Sequence, residues 1–259
     1  YPGLIWDLGL VGVKVSPYIS ALKRAGRYPV TAYTLLLSVS DGTPLLLCDS
    51  YALTTARTAA TTALAIEYLM PQGAEALSLI GVGKVGLEHL RYVAEQHSWK
   101  SIRVWSPTLG EDAAQARSVA DQLKEEGITV SVARTAKEAV SQADVVMLCT
   151  SSGTPVIERD WLKSNVLVTS ISTNVPKAHE IDPSALSSFA VYCDYRETAP
   201  VTAGEMMIAQ ESGDWAPDQI QGDLPELAIG KAMPPAQGAV FFRSTGLGIE
   251  DLAVASLLL

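Results

Sequence analysis

A glycine-rich turn between an apolar run and an amphipathic segment most constrains the fold of this chain. The run Ala76–Ile80 ends in Gly-Val-Gly-Lys-Val-Gly at residues 81–86, and the apolar residues Val85, Leu87 and Leu90 suit one face of a helix. Glycine tolerates a tight turn and close approach of the backbone to a ligand, and the N–H groups at a helix start favour an anion. This strand, turn and helix predict a site for the pyrophosphate of a dinucleotide, with a glycine-rich connector as the alternative.

The residues after the next predicted strand, Ser101–Trp105, bear on which dinucleotide binds. NAD-binding proteins place an Asp or Glu there, which bonds the ribose 2′-hydroxyl. Here Ser-Pro-Thr follows at residues 106–108, and the first carboxylate is Glu111. Hydroxyl groups without an acid suit a 2′-phosphate, so we predict NADPH, with NADH as the alternative. The sequence leaves open whether Arg117 or Lys84 supplies the positive charge.

Composition narrows the class of protein. The 259 residues are 48% hydrophobic and 18% charged, as expected of a globular chain with room for two modest domains. The 19 basic and 28 acidic residues give a net charge of −9 without a basic cluster, which argues against a nucleic-acid partner. The sequence has no apolar run long enough for a membrane span and no visible signal peptide. Widely spaced Cys48, Cys149 and Cys193 are expected to be reduced thiols in the cytoplasm.

Helices and strands alternate after the glycine turn. The predicted helices span residues 113–126 and 136–142, and the predicted strands span residues 129–133, 144–149, 166–169, 190–193 and 240–243. Such alternation is typical of an α/β fold, here a Rossmann-type doubly wound parallel sheet with helices on both faces. The scattered histidines have no metal-ligand spacing, so we predict no metal; His89 is expected to pack or bond locally on its helix.

The opening region is largely β. Strands are predicted over residues 11–15, 30–39 and 44–49, with a hairpin turn at Asp41-Gly42, before a helix over residues 51–70. We therefore predict a smaller β-rich domain for substrate binding and dimerisation from residues 1–70 and 195–259, and an NAD(P)-binding domain over residues 71–194. The chain opens within a running fold, so we expect further residues at its ends.

Two charged residues stand out by their surroundings. Arg57 lies among alanines and threonines with no acid three or four positions away, so it either extends its head to solvent or binds a phosphate or carboxylate. Asp194 follows the predicted strand 190–193 and is either a helix cap or salt-bridge partner, or a catalytic carboxylate. The residues alone leave both choices open.

Hydroxyl-rich turns follow three predicted strands, at residues 150–152, 170–174 and 244–248. Ligands of a doubly wound sheet bind beyond the carboxyl ends of its strands, which favours contact with the cofactor. Simple capping of the following segment is the alternative.

Four motifs together resemble the ornithine cyclodeaminase and mu-crystallin family. They are GVKV at residues 12–15, ARTAATTALA at 56–65, LIGVGKVG at 79–86 and STGLGIEDLA at 244–253. Further segments, including CDYRE at residues 193–197 and GDLPEL at 222–227, are similar to the bacterial cyclic ketimine reductases of this family, which act on Δ1-pyrroline-2-carboxylate. The resemblance implies a homodimer formed through the β-rich domain, and a segment before the lysine motif that is mostly absent here.

The resemblance also implies roles for individual residues. Lys14 and Arg57 would hold a substrate carboxylate, and Asp194 would lie by the substrate nitrogen. The residues implied around the cofactor are Arg57, Thr58, Gly81, Val82, Gly83, Lys84, Val85, Gly86, Ser106, Thr108, Thr150, Ser151, Ser170, Ser172, Ser244 and Thr245.

The expected reaction is the NADPH-dependent reduction of a cyclic imino acid, Δ1-pyrroline-2-carboxylate or Δ1-piperideine-2-carboxylate, to L-proline or L-pipecolate. One alternative is an ornithine cyclodeaminase that uses NAD catalytically and releases ammonia; the missing acid after Trp105 argues against it. Another is a non-enzymatic, cofactor-loaded binding protein of the crystallin type. The presence of Lys14, Arg57 and Asp194 together argues against this second alternative.

Overall fold

The computed structural model describes residues 2–17, 19–24, 26, 31–173 and 175–259. The chain forms two compact units, a smaller one of Tyr1–Thr61 with Gly246–Leu259 and a larger one of Thr62–Thr245. The division falls inside the long helix 51–69 and again just after the last strand of the chain.

The strands are β1 (Pro2–Ile5), β2 (Leu10–Val15), β3 (Tyr33–Ser38), β4 (Pro44–Asp49), β5 (Ala76–Ile80), β6 (Ser101–Trp105), β7 (Ser131–Val132), β8 (Val145–Leu148), β9 (Leu167–Ser170), β10 (Ala190–Cys193), β11 (Ile220–Asp223) and β12 (Val240–Arg243). The α-helices are α1 (Ser20–Arg24), α2 (Tyr51–Leu69), α3 (Lys84–Gln96), α4 (Pro107–Glu111), α5 (Ala113–Glu125), α6 (Ala136–Val140), α7 (Ala199–Thr202), α8 (Gly204–Ser212), α9 (Leu224–Ala228) and α10 (Gly248–Ala255). Short 3₁₀ turns occupy Trp6–Leu8, Arg159–Trp161, Pro183–Ser188, Pro217–Gln219 and Ser256–Leu258.

The larger unit is built on an eight-stranded sheet in the order β11-β10-β12-β9-β8-β5-β6-β7, in which every pair is parallel. Strand β8 is buried at all four positions, and its alternate residues enter two different apolar clusters. Val145 and Met147 join one cluster, and Val146 and Leu148 join the other. A parallel sheet covered on both faces requires such continuous apolar strands. The predicted Rossmann-type α/β fold is confirmed.

The smaller unit contains an antiparallel sheet in the order β1-β2-β3-β4. One face of it packs against α10, where Leu36, Leu252 and Ala255 form a small apolar core. Lys14 lies on this inner face, since the alternate positions 10, 12 and 14 of β2 are buried. The predicted small β-rich domain is therefore present, and a positively charged residue stands inside it.

The larger unit reaches further along the chain than the sequence suggested. The expected boundary after Asp194 is corrected to lie between Thr245 and Gly246, because β11 and β12 pair with β10 on either side. Strands β1 and β11 were not expected, since proline, glycine and polar residues interrupt their short apolar patterns. The strand expected over residues 30–39 spans Tyr33–Ser38, and Val30 lies outside the described residues.

Candidate functional site

The glycine turn follows β5 at the point where the strand order of the sheet reverses, between β5 and β8. Gly81 has a φ of 98°, and a Cβ there would lie 2.5 Å from the carbonyl oxygen of Cys149 at the end of β8. A Cβ on Gly86 would lie 1.9 Å from the oxygen of Gly81. Both positions therefore need glycine for the turn and for close packing of the helix on the strand. Ligands of doubly wound sheets bind at this reversal.

The middle glycine has a different environment. A Cβ on Gly83 would meet no heavy atom of the described residues within 4 Å, so the absent side chain leaves open space. Gly83 is also the N-cap of the 13-residue helix α3, and no side chain of the described residues caps that end. The N–H groups at the start of a helix have no acceptor within the helix itself, and a pyrophosphate suits that geometry. The residues present fit a dinucleotide.

The residues after β6 are arranged as a cap. The Ser106 hydroxyl accepts a hydrogen bond from the N–H of Leu109 at 3.3 Å and so starts α4. Thr108 is exposed, as are Lys84 and Arg117, and the Arg117 Nε donates to the Ala113 carbonyl at 3.3 Å. Residues 106–108 contain no carboxylate that could bond a ribose 2′-hydroxyl.

The hydroxyl turns after β8 and β9 are held by Glu180, which sequence reasoning missed. Its carboxylate is buried and accepts hydrogen bonds from the Thr150 N–H and hydroxyl, both at 2.7 Å, and from the Ser170 hydroxyl at 2.8 Å. The Ile171 and Ser172 N–H groups add bonds of 3.1 and 3.2 Å. We call these residues the Glu180 network. The only signal in the sequence was an acid ten residues after β9.

Three hydroxyls predicted to lie around the cofactor have acceptors within the protein, and their contact with a cofactor stays a prediction. The hydroxyls of Thr150 and Ser170 donate to Glu180, and the Ser172 hydroxyl donates to the Ser152 carbonyl at 2.7 Å. Direct donation from these hydroxyls to a cofactor would require them to leave those acceptors. Ser151 differs, because it is exposed.

A buried arginine extends the network towards α8. Arg243 donates to the Ser170 hydroxyl oxygen at 3.1 Å and to the Ser172 carbonyl at 2.5 Å, and its Nε lies 2.9 Å from Glu205 Oε1. Burial raises the pKa of Glu205 above its usual value, and the positive charge of Arg243 opposes that rise. The turns at the carboxyl ends of β8 and β9 are thus held by two buried charged residues, Glu180 and Arg243.

Asp194, at the end of β10, is also buried and hydrogen-bonded. Its Oδ2 accepts from the Thr245 N–H at 2.5 Å and lies 3.4 Å from the Ser244 hydroxyl, while its Oδ1 accepts from the Tyr195 N–H at 2.9 Å. N–H donors stabilise the ionised form of a carboxylate. Asp194 therefore holds the turn after β12, and the Ser244 and Thr245 hydroxyls point to it. These bonds give Asp194 a structural role, and its catalytic role stays a prediction.

Four charged residues meet in the smaller unit, and we call Lys14, Arg57, Glu250 and Asp251 the charged cluster. Lys14 Nζ lies 2.7 Å from Asp251 Oδ1, and Arg57 Nε lies 3.0 Å from the same oxygen. Arg57 Nη1 donates to Glu250 Oε2 at 2.9 Å. Lys14 is 2% exposed and Arg57 9% exposed, so neither head extends into solvent. This excludes the interpretation that the Arg57 guanidinium extends into solvent.

The pKa of Lys14 reflects this environment. Burial lowers it below the usual value for lysine, and the positive charge of Arg57 lowers it further. The hydrogen bond and negative charge of Asp251 oppose the shift, and Glu250 adds a weaker opposing charge. Sequence reasoning missed both acids, although they stand in the IED of the last motif, because they lie 193 and 237 residues from their partners.

Thr58 and His89 both make contacts within one turn of their own helices. The hydroxyl of Thr58, expected near the cofactor, donates to the Thr54 carbonyl one turn earlier at 2.7 Å. His89 is buried, and its ring nitrogens lie 2.7 Å from the Val85 carbonyl and 3.0 Å from the Thr62 hydroxyl. Local bonding of His89 on its helix is as predicted.

The described residues offer no metal site and no membrane-spanning helix. They contain no group of three or more His, Cys, Asp or Glu side chains that could hold a metal ion. Among the helices described, none is both long and apolar enough to cross a membrane.

The parallel sheet, with its glycine turn at the strand-order reversal, defines a dinucleotide-binding protein of the Rossmann class. The chain belongs to the ornithine cyclodeaminase/mu-crystallin family, whose model matches residues 5–259. It is an NAD(P)-dependent oxidoreductase. The resemblance read from the four motifs is thereby confirmed.

Individual relatives share most of the chain. It is 48% identical over 259 residues to the NAD(P)H-dependent anabolic L-arginine dehydrogenase DauB of Pseudomonas aeruginosa, covering 100% of this chain and 79% of that protein. It is 28% identical over 226 residues to the ketimine reductase mu-crystallin of Rattus norvegicus, covering 87% of this chain and 68% of the relative. Among solved structures, the Δ1-pyrroline-2-carboxylate reductase of Thermococcus litoralis, in complex with NADH and L-proline, superposes with a TM-score of 0.90 at 24% identity, covering 99% and 79% of the two chains. That structural likeness shows the shared fold.

Proposed function

We propose that the protein reduces the C=N bond of a 2-imino acid to give an L-amino acid, with NAD(P)H as reductant. The observation that carries the proposal is the pair of buried cations, Lys14 and Arg57, in a chain that is an NAD(P)-dependent oxidoreductase of this family. Buried cations suit a small anion, and a 2-imino acid carries a carboxylate next to the reacting carbon.

Lys14 and Arg57 bind the substrate carboxylate in this proposal. The planar guanidinium offers parallel donors that match a carboxylate, and the ammonium adds a second positive charge. Both cations are held by Glu250 and Asp251 before a ligand arrives. Their geometry is therefore set in advance, which lowers the entropy lost when the substrate is oriented.

Asp194 stabilises the protonated imine nitrogen. Hydrogen-bond donation from Thr245 and Tyr195 favours its ionised form, which is the form that attracts a positive charge. A hydride from bound NAD(P)H would add to the carbon of the protonated imine, and the nitrogen would keep its proton and become an amine. A carboxylate that keeps the imine protonated raises the electrophilicity of that carbon.

We propose two classes of substrate and give the better supported one first. The first is the open-chain imino acid formed from ammonia and the 2-oxo acid of arginine, because the 48% identical relative spans the whole chain and is named an anabolic L-arginine dehydrogenase. The second is a cyclic imino acid of five or six ring atoms, favoured by the motifs at residues 193–197 and 222–227 and by the ketimine reductase relative. Both present the same carboxylate and C=N group.

One assay separates the two classes. Oxidation of NADPH and of NADH would be followed with 5-guanidino-2-oxopentanoate plus ammonium, with Δ1-pyrroline-2-carboxylate, and with Δ1-piperideine-2-carboxylate. Pyruvate with ammonium or methylamine is the control for the open-chain reaction without the guanidinium group. Ornithine without reductant tests the cyclodeaminase alternative by release of ammonia. If neither NADPH nor NADH is oxidised with any of these imino acids, the proposal is contradicted.

NADPH is the proposed reductant. The support is the missing carboxylate at residues 106–108, where an acid would repel a 2′-phosphate. Ser106→Asp is an informative variant, because an aspartate can still cap α4 in place of the serine hydroxyl. We expect it to raise the KM for NADPH and lower the KM for NADH. An unchanged ratio of the two constants would argue that cofactor selection lies elsewhere.

A homodimer through the smaller unit is also proposed. The outer face of its sheet is apolar across three strands, where Val13, Leu35 and Leu47 pair in register. Leu47 is 72% exposed and Tyr33 54% exposed, and an apolar sheet face of this kind is typical of a contact surface. Leu47→Glu should lower the mass measured by sedimentation, whereas Met233→Glu, equally exposed at 72% in the other unit, should not.

The proposed setting is the reducing cytoplasm. Cys48, Cys149 and Cys193 are free cysteines rather than members of a disulfide. Burial raises the pKa of the Cys149 and Cys193 thiols, which keeps them protonated and unreactive.

A further inference from the structure

One carboxylate oxygen in the smaller unit serves both cations. Asp251 Oδ1 lies 2.7 Å from Lys14 Nζ and 3.0 Å from Arg57 Nε. Asp251 itself is completely buried, and Lys14 is 2% exposed. Its second oxygen, Oδ2, is buried and accepts no hydrogen bond from the described residues. Asp251 therefore acts on its surroundings mainly through the one oxygen that both cations share.

A buried ammonium next to a guanidinium tends to lose its proton. Removal from water disfavours the charged form of lysine, and a neighbouring positive charge disfavours it further. Within the described part of the chain, the charged groups that act on Lys14 are Arg57 from α2 and Asp251 and Glu250 from α10. Arginine stays protonated in proteins, so Lys14 is the member of the pair whose charge depends on a partner.

We propose that Asp251 is a positioning residue for the 2-imino acid: it keeps Lys14 protonated and fixes the Nε edge of Arg57, so that both cations are ready for the substrate carboxylate. The inference rests on the proposed function, because it takes that carboxylate as the ligand. Asp251 acts through the two cations and has no contact with the substrate. Loss of its charge should therefore weaken substrate binding in a pH-dependent way.

Asp251→Asn tests this with little change of shape. The asparagine oxygen can occupy the Oδ1 position, and its amide group takes the place of Oδ2, which accepts no bond from the described residues. Glu250→Gln is the matched control, because it removes the same charge from the neighbouring residue of α10, which contacts Arg57 Nη1. Its effect on Lys14 should be the smaller one, since the charge of Glu250 raises the pKa of Lys14 less than Asp251 does.

The first readout needs no activity. In protein carrying isotope-labelled lysine, the chemical shift of the Lys14 Cε reports its protonation as the pH is raised, with Lys14→Arg used to assign the signal. We expect the titration midpoint of Lys14 to fall in Asp251→Asn, and to fall less in Glu250→Gln. Equal midpoints in the wild type and Asp251→Asn would overturn the inference.

The second readout is the pH dependence of the KM for the accepted imino acid. In Asp251→Asn the KM should begin to rise at a lower pH than in the wild type, by about tenfold once Lys14 is neutral, the usual size for loss of a charged hydrogen bond. The double variant Lys14→Arg with Asp251→Asn should lose this early rise, because arginine does not deprotonate in this range. A pH-independent change of KM in Asp251→Asn would contradict the positioning role.

The two proposals fail separately. If the Lys14 midpoint falls as expected but no imino acid is reduced, the proposed function is wrong and the effect of Asp251 on Lys14 stands. If an imino acid is reduced but the Lys14 midpoint does not move, the function stands and the role of Asp251 is refuted.

Discussion

The guanidinium of Arg57 lies against Gly246, where a side chain would not fit. A Cβ on Gly246 would come within 2.6 Å of Arg57 Nη1 and 3.2 Å of Cζ. The φ of Gly246 is also 82°, a backbone conformation that other residues rarely adopt. Gly246 therefore has a second role besides forming the turn, since its missing side chain leaves the space that the Arg57 guanidinium occupies.

Gly246→Ala should displace Arg57 and weaken binding of the imino acid. We expect a rise of about tenfold or more in KM, on the scale of a lost charged hydrogen bond. Gly213→Ala is the matched control, because Gly213 has a φ of 80° and no heavy atom of the described residues within 4 Å of the added Cβ. Both variants should lose about 1 kcal/mol of stability from backbone strain. Similar KM values in the two variants would contradict the role of the contact.

Arg57→Ala should raise the KM for the imino acid strongly, with a smaller loss in kcat. The guanidinium is proposed to bind the carboxylate in the ground state as well as in the transition state, and loss of such binding appears mainly in KM. Steady-state kinetics at saturating NADPH provide the measurement. If both parameters stay near those of the wild type, Arg57 has only a structural role.

Asp194→Asn separates the two roles of this carboxylate. As a group that stabilises the protonated imine, its loss should lower kcat by about a hundredfold or more. As a partner of the turn after β12, its loss should lower the melting temperature, because an amide replaces an acceptor of the Thr245 N–H. A lower melting temperature with an unchanged kcat would leave only the structural role.

Glu180→Gln should weaken cofactor binding. The amide group of glutamine cannot accept the N–H groups that now bond one side of the carboxylate, so the turns after β8 or β9 should shift. We expect a KM for NADPH about tenfold higher and a loss of about 2 kcal/mol in unfolding free energy. Glu211→Gln, which removes an exposed ion pair with Lys177, should change neither appreciably. A loss of stability without a change in cofactor KM would limit Glu180 to the fold.

Asp144→Asn should destabilise the larger unit at neutral pH but not in acid. Burial of Asp144 raises its pKa, but bonds from the Glu75 and Ala76 N–H groups and from Lys163 together lower it below the usual value. A lowered pKa gives stability above the unfolded-state pKa that is lost as the pH falls through the folded-state pKa. We expect a deficit of about 1 to 2 kcal/mol at neutral pH, measured by urea unfolding. The exposed variant Asp121→Asn should have no comparable deficit. If Asp144→Asn is still less stable than the wild type in acid, the ionised form of Asp144 is not the source of this stability.

Local patterns were sufficient for most of the fold. Strands β4, β5, β6, β10 and β12 have the bounds expected from their apolar runs. The pattern failed at β11, whose Ile-Gln-Gly-Asp is stabilised by pairing with β10 rather than by its own residues. The boundary after Asp194 moved for the same reason.

The sequence by itself determined the dinucleotide turn, the Rossmann-type sheet and the family, since each depends on residues adjacent in the chain or on four motifs in order. Only the tertiary structure decided the partners of the charged groups. Arg57 has no acid nearby on its own helix, yet Glu250 and Asp251 neutralise it from α10. The sequence shows no acceptor for the hydroxyls of Thr150 and Ser170, yet in the fold Glu180 accepts from both. Buried polar groups must find partners wherever the fold brings them, and sequence distance does not limit that choice.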